Sequence, residues 1–149
     1  MIIEPFSNKL DSELLSLLLL ADPNEESVKQ YVGNSEIFIA SSGQLKVGVA
    51  VLSINDNDYE LKNIAVHPKY QKKGIAKALI DTVKNRAKKL GAKTLIVGTG
   101  NSSFDQLALY QKCGFRISAL RPNFFATYDP PIYENGIHCI DMVVLKAEL

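Results

Sequence analysis

The chain has 149 residues, 46% of them hydrophobic and 22% charged, with a formal net charge of +1. That length and balance suit one domain, residues 1–149, with one core, and the near-neutral charge argues against a nucleic-acid binder of the strongly basic kind. Nine of the seventeen Lys and Arg residues nonetheless fall between His67 and Lys93, against one acid, Asp81, so positive charge is concentrated in one region.

Met1 to Pro5 reads as a first strand. The opening MIIEPFSNKLDSELL carries acids and no basic leader region, so no signal peptide is expected and a cytoplasmic protein follows by default. Asp11 to Ala21 predicts a helix, with Asp11 as cap and Glu13 in the first turn. Its apolar run, Leu14 to Ala21, is far too short to cross a bilayer, and no membrane partner is expected. Asp22-Pro23-Asn24 breaks this helix, and Glu25 to Tyr31 predicts a short second one. Glu36 to Ala40, Gln44 to Ile54 and Tyr59 to Val66 read as strands joined by Ser41-Ser42-Gly43 and Asn55 to Asp58, an antiparallel meander. The alternation in Glu60 to Val66 is broken, because Ile64 and Ala65 are both apolar after Lys62 and Asn63. A β-bulge accounts for this, as does a plain buried strand.

Pro68 ends the strand. Ile75, Leu79, Val83, Ala87 and Leu90 then recur at helical period, and Gly91 terminates the helix. Thr94 to Val97 predicts a short buried strand and Gly98 to Asn101 a loop. Ser103-Phe104-Asp105-Gln106 fits a capping box for a helix over Phe104 to Lys112. Phe115 to Ala119 reads as a strand, Arg121 to Gly136 as irregular, and Ile137 to Leu145 as the final strand. A helix between Val66 and Thr94 implies a right-handed crossover and a parallel strand pair. The fold class expected is therefore mixed α/β (α+β): a mostly antiparallel central sheet with one parallel pair, flanked by helices.

The segment Gln71-Lys72-Lys73-Gly74-Ile75-Ala76 joins a strand to a helix through a glycine. A helix start leaves backbone N–H groups unpaired at its positive end, which makes an anion site, usually for phosphate. Gly74 lets an anion approach the backbone. Lys72, Lys73 and Lys77 add charge there, while Lys84, Arg86, Lys88 and Lys89 read as a solvated helix face. The turn lacks the G-x-x-x-x-G-K-S/T pattern of a magnesium-nucleotide site and the G-x-G-x-x-G of a dinucleotide site. A structural turn without ligand is the other reading. Cys113 and Cys139 lack metal or redox spacing, and no metal is expected.

The stretch YELKNIAVHPKYQKKGIAKALIDTVKNRAKKLGAKTLIVGT, followed by Asn101 and then ALYQKCGF, resembles the GNAT superfamily of acyl-CoA-dependent N-acetyltransferases. The family's Q/R-x-x-G-x-G/A pattern is met by Gln71, Gly74 and Ala76, with alanine where many members have glycine. Its V-x-P strand end is met by Val66, His67 and Pro68, its Asn after the next strand by Asn101, and its late-helix tyrosine before G-F by Tyr110, Gly114 and Phe115. The resemblance spans roughly Ala40 to Ala119 and implies a GNAT-like fold with acetyl-CoA (coenzyme A) as co-substrate.

It further implies that the diphosphate rests on the amides of Lys72, Lys73, Gly74, Ile75 and Ala76 beside Gln71, and that Ile64, Ala65 and Val66 offer main-chain partners to the pantetheine arm. Asn101 would bond that arm, its alternative being an ordinary loop or cap residue. Tyr110 would face the sulfur and stabilise the departing thiolate, against the alternative of a core tyrosine beside Leu107. Glu60 matches in spacing the general-base glutamate of some members, or is a solvated strand-end charge. His67 and His138 read as structural or surface residues.

Arg121 to Gly136, RPNFFATYDPPIYENG, is long and aromatic and carries Asp129 and Glu134. It reads either as a wall of the acceptor pocket whose acids attract a cationic amine, or as a dimer-contact or covering loop. The reading is an acetyltransferase acting on a primary amine of a small molecule or peptide by direct attack in a ternary complex. Its alternative is a non-catalytic acyl-CoA-binding sensor or interaction module.

Overall fold

A computed structural model describes residues 1–149. Its strands and helices follow the expected mixed α/β order, and its contacts divide the chain into two compact units, Met1–Ala92 and Lys93–Leu149. No helix is long and apolar enough to cross a membrane.

In the first unit, β1 (Ile2–Phe6), β2 (Ser35–Ser42), β3 (Leu45–Asn55) and β4 (Asp58–Val66) pair antiparallel in chain order. Two layers of helix explain why Val47 to Leu52 is buried without interruption: both faces of β3 are covered. On one face, α1 (Ser12–Ala21) inserts Leu14, Leu17 and Leu18 against Val49, Val51 and Ala65, with Val28 of α2 (Glu25–Val32) joining them. Asp11 caps α1 as expected, accepting from the Leu14 N–H at 2.7 Å. On the other face, α3 (Ile75–Lys89) buries Ile75, Leu79, Ile80, Val83 and Ala87. A β-carbon added at Gly48 would meet Leu79 Cδ1 at 3.0 Å and Ile75 Cγ2 at 3.1 Å, so that glycine lets α3 lie close to the sheet. Leu90, expected on the apolar face, is instead the exposed C-cap residue.

In the second unit, β9 (Met142–Glu148) pairs antiparallel with β5 (Thr94–Gly100) on one side and β6 (Arg116–Arg121) on the other. The helix α4 (Phe104–Lys112) ends at Cys113, and Gly114 follows at φ +91°. Three expectations need correction here. Gly98-Thr99-Gly100 is strand, not loop: β5 continues to Gly100 because its glycines make room for Met142 and Cys139, with which added β-carbons would collide. The final strand is broken, into β8 (Ile137–His138) and β9. The tail of the irregular segment forms β7 (Tyr133–Glu134), which pairs with β8. Asn135 and Gly136, both at positive φ (55° and 73°), make the turn; Asn-Gly is the usual dipeptide for such two-residue hairpins.

Candidate active site

Of the two readings of β4, bulged or plain buried strand, the structure has the bulge. Val51 pairs with Asn63 and the next residue, Leu52, with Leu61, so Lys62 is the extra residue. Leu61, Asn63, Ile64, Ala65 and Val66 are all buried, because successive residues face opposite sides of the strand and α1 and α3 cover both. The far end of β4 is tied down by Gln71, whose Nε2 donates to the Val66 carbonyl at 3.1 Å. A short 3-10 turn, Pro68–Tyr70, intervenes, with the Lys69 N–H donating to His67 Nδ1.

The glycine turn has a backbone that only particular residues tolerate. Lys72 and Gly74 both take positive φ, 61° and 81°, the latter at the N-cap of α3 with no side-chain cap. The helical ladder opens with the Ala78 N–H on the Gly74 carbonyl at 3.1 Å, so the N–H groups of Ile75, Ala76 and Lys77 precede it. These donors lie at the positive end of a helix of fifteen residues, a geometry suited to an anion. Lys72, Lys73 and Lys77 are exposed around it, and Lys73 Nζ lies 5.3 Å from the Tyr70 ring centroid.

At the other end of β4, Glu60 is partly buried, and its Oε2 lies 4.0 Å from Lys62 Nζ. Lys62 Nζ is also 5.6 Å from the Tyr31 ring centroid. The Tyr31 hydroxyl donates to Asp22 Oδ2 at 3.3 Å and accepts from Asn63 Nδ2 at 2.9 Å. Asn63 also donates to the Leu18 carbonyl at 3.0 Å, a second donor beside the Asp22 N–H in the last turn of α1. Nothing in the spacing of Tyr31 or Lys62 announced this cluster, because its members meet through the α1–α2 corner.

In the second unit, Asn101 has a definite structural task. Its Oδ1 accepts from the N–H groups of Ile140 (2.8 Å) and Asp141 (2.9 Å), and its Nδ2 donates to the His138 carbonyl at 3.2 Å. It therefore holds the break between β8 and β9. Ser103 is the N-cap of α4, but its hydroxyl does not cap the helix. It donates to Glu134 Oε1 at 2.8 Å, so the expected capping box is replaced by a bond to the β7–β8 hairpin. Asn135 Nδ2 adds a bond to the Ser102 carbonyl at 2.9 Å. Asp129 is exposed in the loop before β7. Tyr110 is buried and meets Phe115 edge-on at 5.9 Å. Burial, with a smaller contribution from Cys113, raises its hydroxyl pKa far above the ordinary tyrosine value, so the group remains a hydrogen-bond donor. Neither cysteine is in a disulfide, and burial pushes the Cys139 thiol up, away from the reactive thiolate. No group of His, Cys, Asp or Glu is arranged to hold a metal ion.

A bulged strand followed by a helix start with three N–H groups ahead of its ladder, in a mixed α/β fold, is an arrangement able to hold a phosphate-bearing ligand. Comparison with known proteins gives the family. A model described as an acetyltransferase (GNAT) domain matches residues 33–117. An uncharacterized N-acetyltransferase of Bacillus subtilis, YvbK, is 49% identical over 141 residues, covering 93% of this chain and 91% of that protein. A GNAT family acetyltransferase from Elizabethkingia anophelis, solved with acetyl-CoA bound, superposes with a TM-score of 0.94 at 45% identity, over 99% of this chain and 97% of that one. A Bacillus subtilis acetyltransferase in complex with CoA gives 0.92 at 48% identity, over 99% and 97%. The chain belongs to the GNAT acetyltransferase family and has its fold. It is an acyltransferase whose co-substrate is acetyl-CoA.

Proposed function

We propose that residues 1–149 form one N-acetyltransferase domain, acting in the cytoplasm, that moves an acetyl group from acetyl-CoA to a primary amine of a small molecule or peptide. The observation that carries this is the left-handed Gly74, which opens α3 with three N–H groups ahead of its ladder. The diphosphate takes those N–H groups and the amides of Lys72, Lys73 and Gly74, with Lys72, Lys73 or Lys77 on the outer phosphate. Gln71 fixes the turn to β4. The pantetheine arm pairs with the main chain of Ile64, Ala65 and Val66. Asn101 has a second Nδ2 hydrogen beyond the one given to His138, and this bonds the arm.

Catalysis needs a base for the amine and stabilisation of the leaving sulfur. Glu60 accepts the amine's proton, directly or through water. The amine attacks the thioester carbonyl in a ternary complex, with no enzyme-bound acyl group. The Tyr110 hydroxyl, kept protonated by burial, donates a hydrogen bond to the developing thiolate. Glu134, oriented by Ser103, and Asp129 supply negative charge for a cationic acceptor.

Titration calorimetry with CoA followed by thiol release from acetyl-CoA tests this. The panel comprises polyamines, amino acids, aminoglycosides and peptides. Heat on CoA addition and thiol release with at least one amine are expected. Absence of heat at millimolar CoA would remove the reading. Tight CoA binding with silence across the panel would point instead to a non-catalytic acyl-CoA sensor.

A further inference from the structure

The groups along β4 stand in a definite order. The anion-binding turn follows its C-terminal end, then come Val66, Ala65 and Ile64, then the bulge at Lys62, then Glu60. A cofactor anchored by its diphosphate at residues 72–76, with its arm alongside Val66 to Ile64, brings its thioester to the bulge. Strand residues advance about 3.3 Å each, so Asn63 and Lys62, the next two residues back along the strand from Ile64, come beside the reacting carbon.

One of those side chains is an amine. Lys62 Nζ lies 4.0 Å from Glu60 Oε2 and 5.6 Å from the Tyr31 ring centroid. A carboxylate on one side and an aromatic face on the other is a common arrangement for recognising an ammonium. The aromatic wall is itself fixed, since Tyr31 is held by Asp22 and Asn63. The Lys62 side chain is one-third exposed, on a flexible four-carbon stem that lets its amine move. An external acceptor needs this same place, close to a base and to the thioester.

We infer that Lys62 is an internal acetyl acceptor, an ε-amine occupying the position of the substrate amine and acetylated in cis by bound acetyl-CoA. This rests on the reading of Glu60 as the base. Glu60 takes one proton from the Lys62 ammonium and passes it to solvent. The free amine attacks the thioester carbonyl carbon, an N–C bond forms and the C–S bond breaks. The nitrogen's second surplus proton ends on the CoA thiolate, giving CoA thiol and a neutral acetyl-lysine.

The test is peptide-mapping mass spectrometry of the full chain incubated with acetyl-CoA in amine-free buffer. Acetyl at Lys62 should accumulate with a rate constant independent of protein concentration, as a reaction within one molecule requires. It should outpace exposed Lys89, which reports uncatalysed acetylation. Glu60→Gln should slow the Lys62 reaction by on the order of 10²-fold and leave Lys89 unchanged. Lys62→Arg, with CoA affinity and circular dichroism confirming its fold, should abolish the acceptor-independent burst of thiol. Acetylation of Lys62 no faster than of Lys89, insensitivity to Glu60→Gln, or a rate proportional to protein concentration would each overturn the inference. Glu60-dependent transfer to an external amine with Lys62 unmodified would overturn it while leaving the proposed function standing. Failure of CoA to bind would overturn both.

Discussion

Gly74 shows how one residue can be dictated by backbone geometry alone. At φ +81° an added β-carbon meets nothing within 4 Å, so Gly74→Ala suffers from conformation, at about 1–2 kcal/mol for a non-glycine residue in the left-handed region. Relaxation of the turn withdraws its N–H groups, and CoA affinity by calorimetry should fall about tenfold or more, the worth of one charge-assisted hydrogen bond. Tyr110 makes a different prediction. Tyr110→Phe should lower turnover on the order of 10²-fold with little change in CoA affinity, and an unchanged rate would remove the hydroxyl from the chemistry. Its raised pKa also fixes the sign of a stability effect. Above about pH 10 an unfolded tyrosine loses its proton while the buried Tyr110 keeps it, so rising pH favours the unfolded chain. The stability present below pH ~10 is lost as pH climbs beyond it, and Tyr110→Phe should flatten that alkaline limb in denaturant titrations.

At the scale of elements, the break between β8 and β9 depends on Asn101. Asn101→Ala leaves the half-buried N–H groups of Ile140 and Asp141 without their acceptor, each at up to about 1–3 kcal/mol, the cost for a fully buried group. Urea unfolding should show a loss of about 2–4 kcal/mol, and Asn101→Asp, which keeps both acceptances, should recover part of it. Unchanged stability with weakened CoA binding would instead assign the side chain to the cofactor alone. Ser103→Ala should raise KM for the amine acceptor with turnover nearly unchanged, because Glu134 loses its orienting bond; an unchanged KM would separate Glu134 from acceptor binding. The first unit's elements were legible because their signals are local: Asp11 before the leucines, the helical period from Ile75, the disturbed alternation at Ile64 and Ala65. The β7–β8 hairpin carried an equally local signal in Asn135-Gly136, obscured by its setting in a proline-rich segment. The Ser103–Glu134 bond had none, since partners 31 residues apart leave no periodic trace, and the S-x-x-Q spacing pointed to a local cap.

For the molecule as a whole, a ligand that binds only the folded chain must stabilise it. CoA at about 100 times its Kd should add about 2.7 kcal/mol, or roughly 5–11 °C in Tm for a protein of this size. Scanning fluorimetry with CoA should show that shift in the natural chain and a smaller one in Gly74→Ala; no shift in the natural chain would contradict the donor site. The amino-acid sequence by itself determined the mixed α/β order, the disturbed alternation of the fourth strand, the glycine turn and the resemblance that implied acetyl-CoA. Each of these is written in neighbouring residues, through strand alternation, helical period or the conformational freedom of one glycine. Tertiary structure alone decided that Tyr31, Lys62 and Glu60 share a corner, that Glu134 rather than a helix amide takes the Ser103 hydroxyl, and that Asn101 clamps a strand break. Those arrangements arise where distant segments are packed together, and side-chain hydrogen bonds form with whichever groups packing brings within about 3 Å.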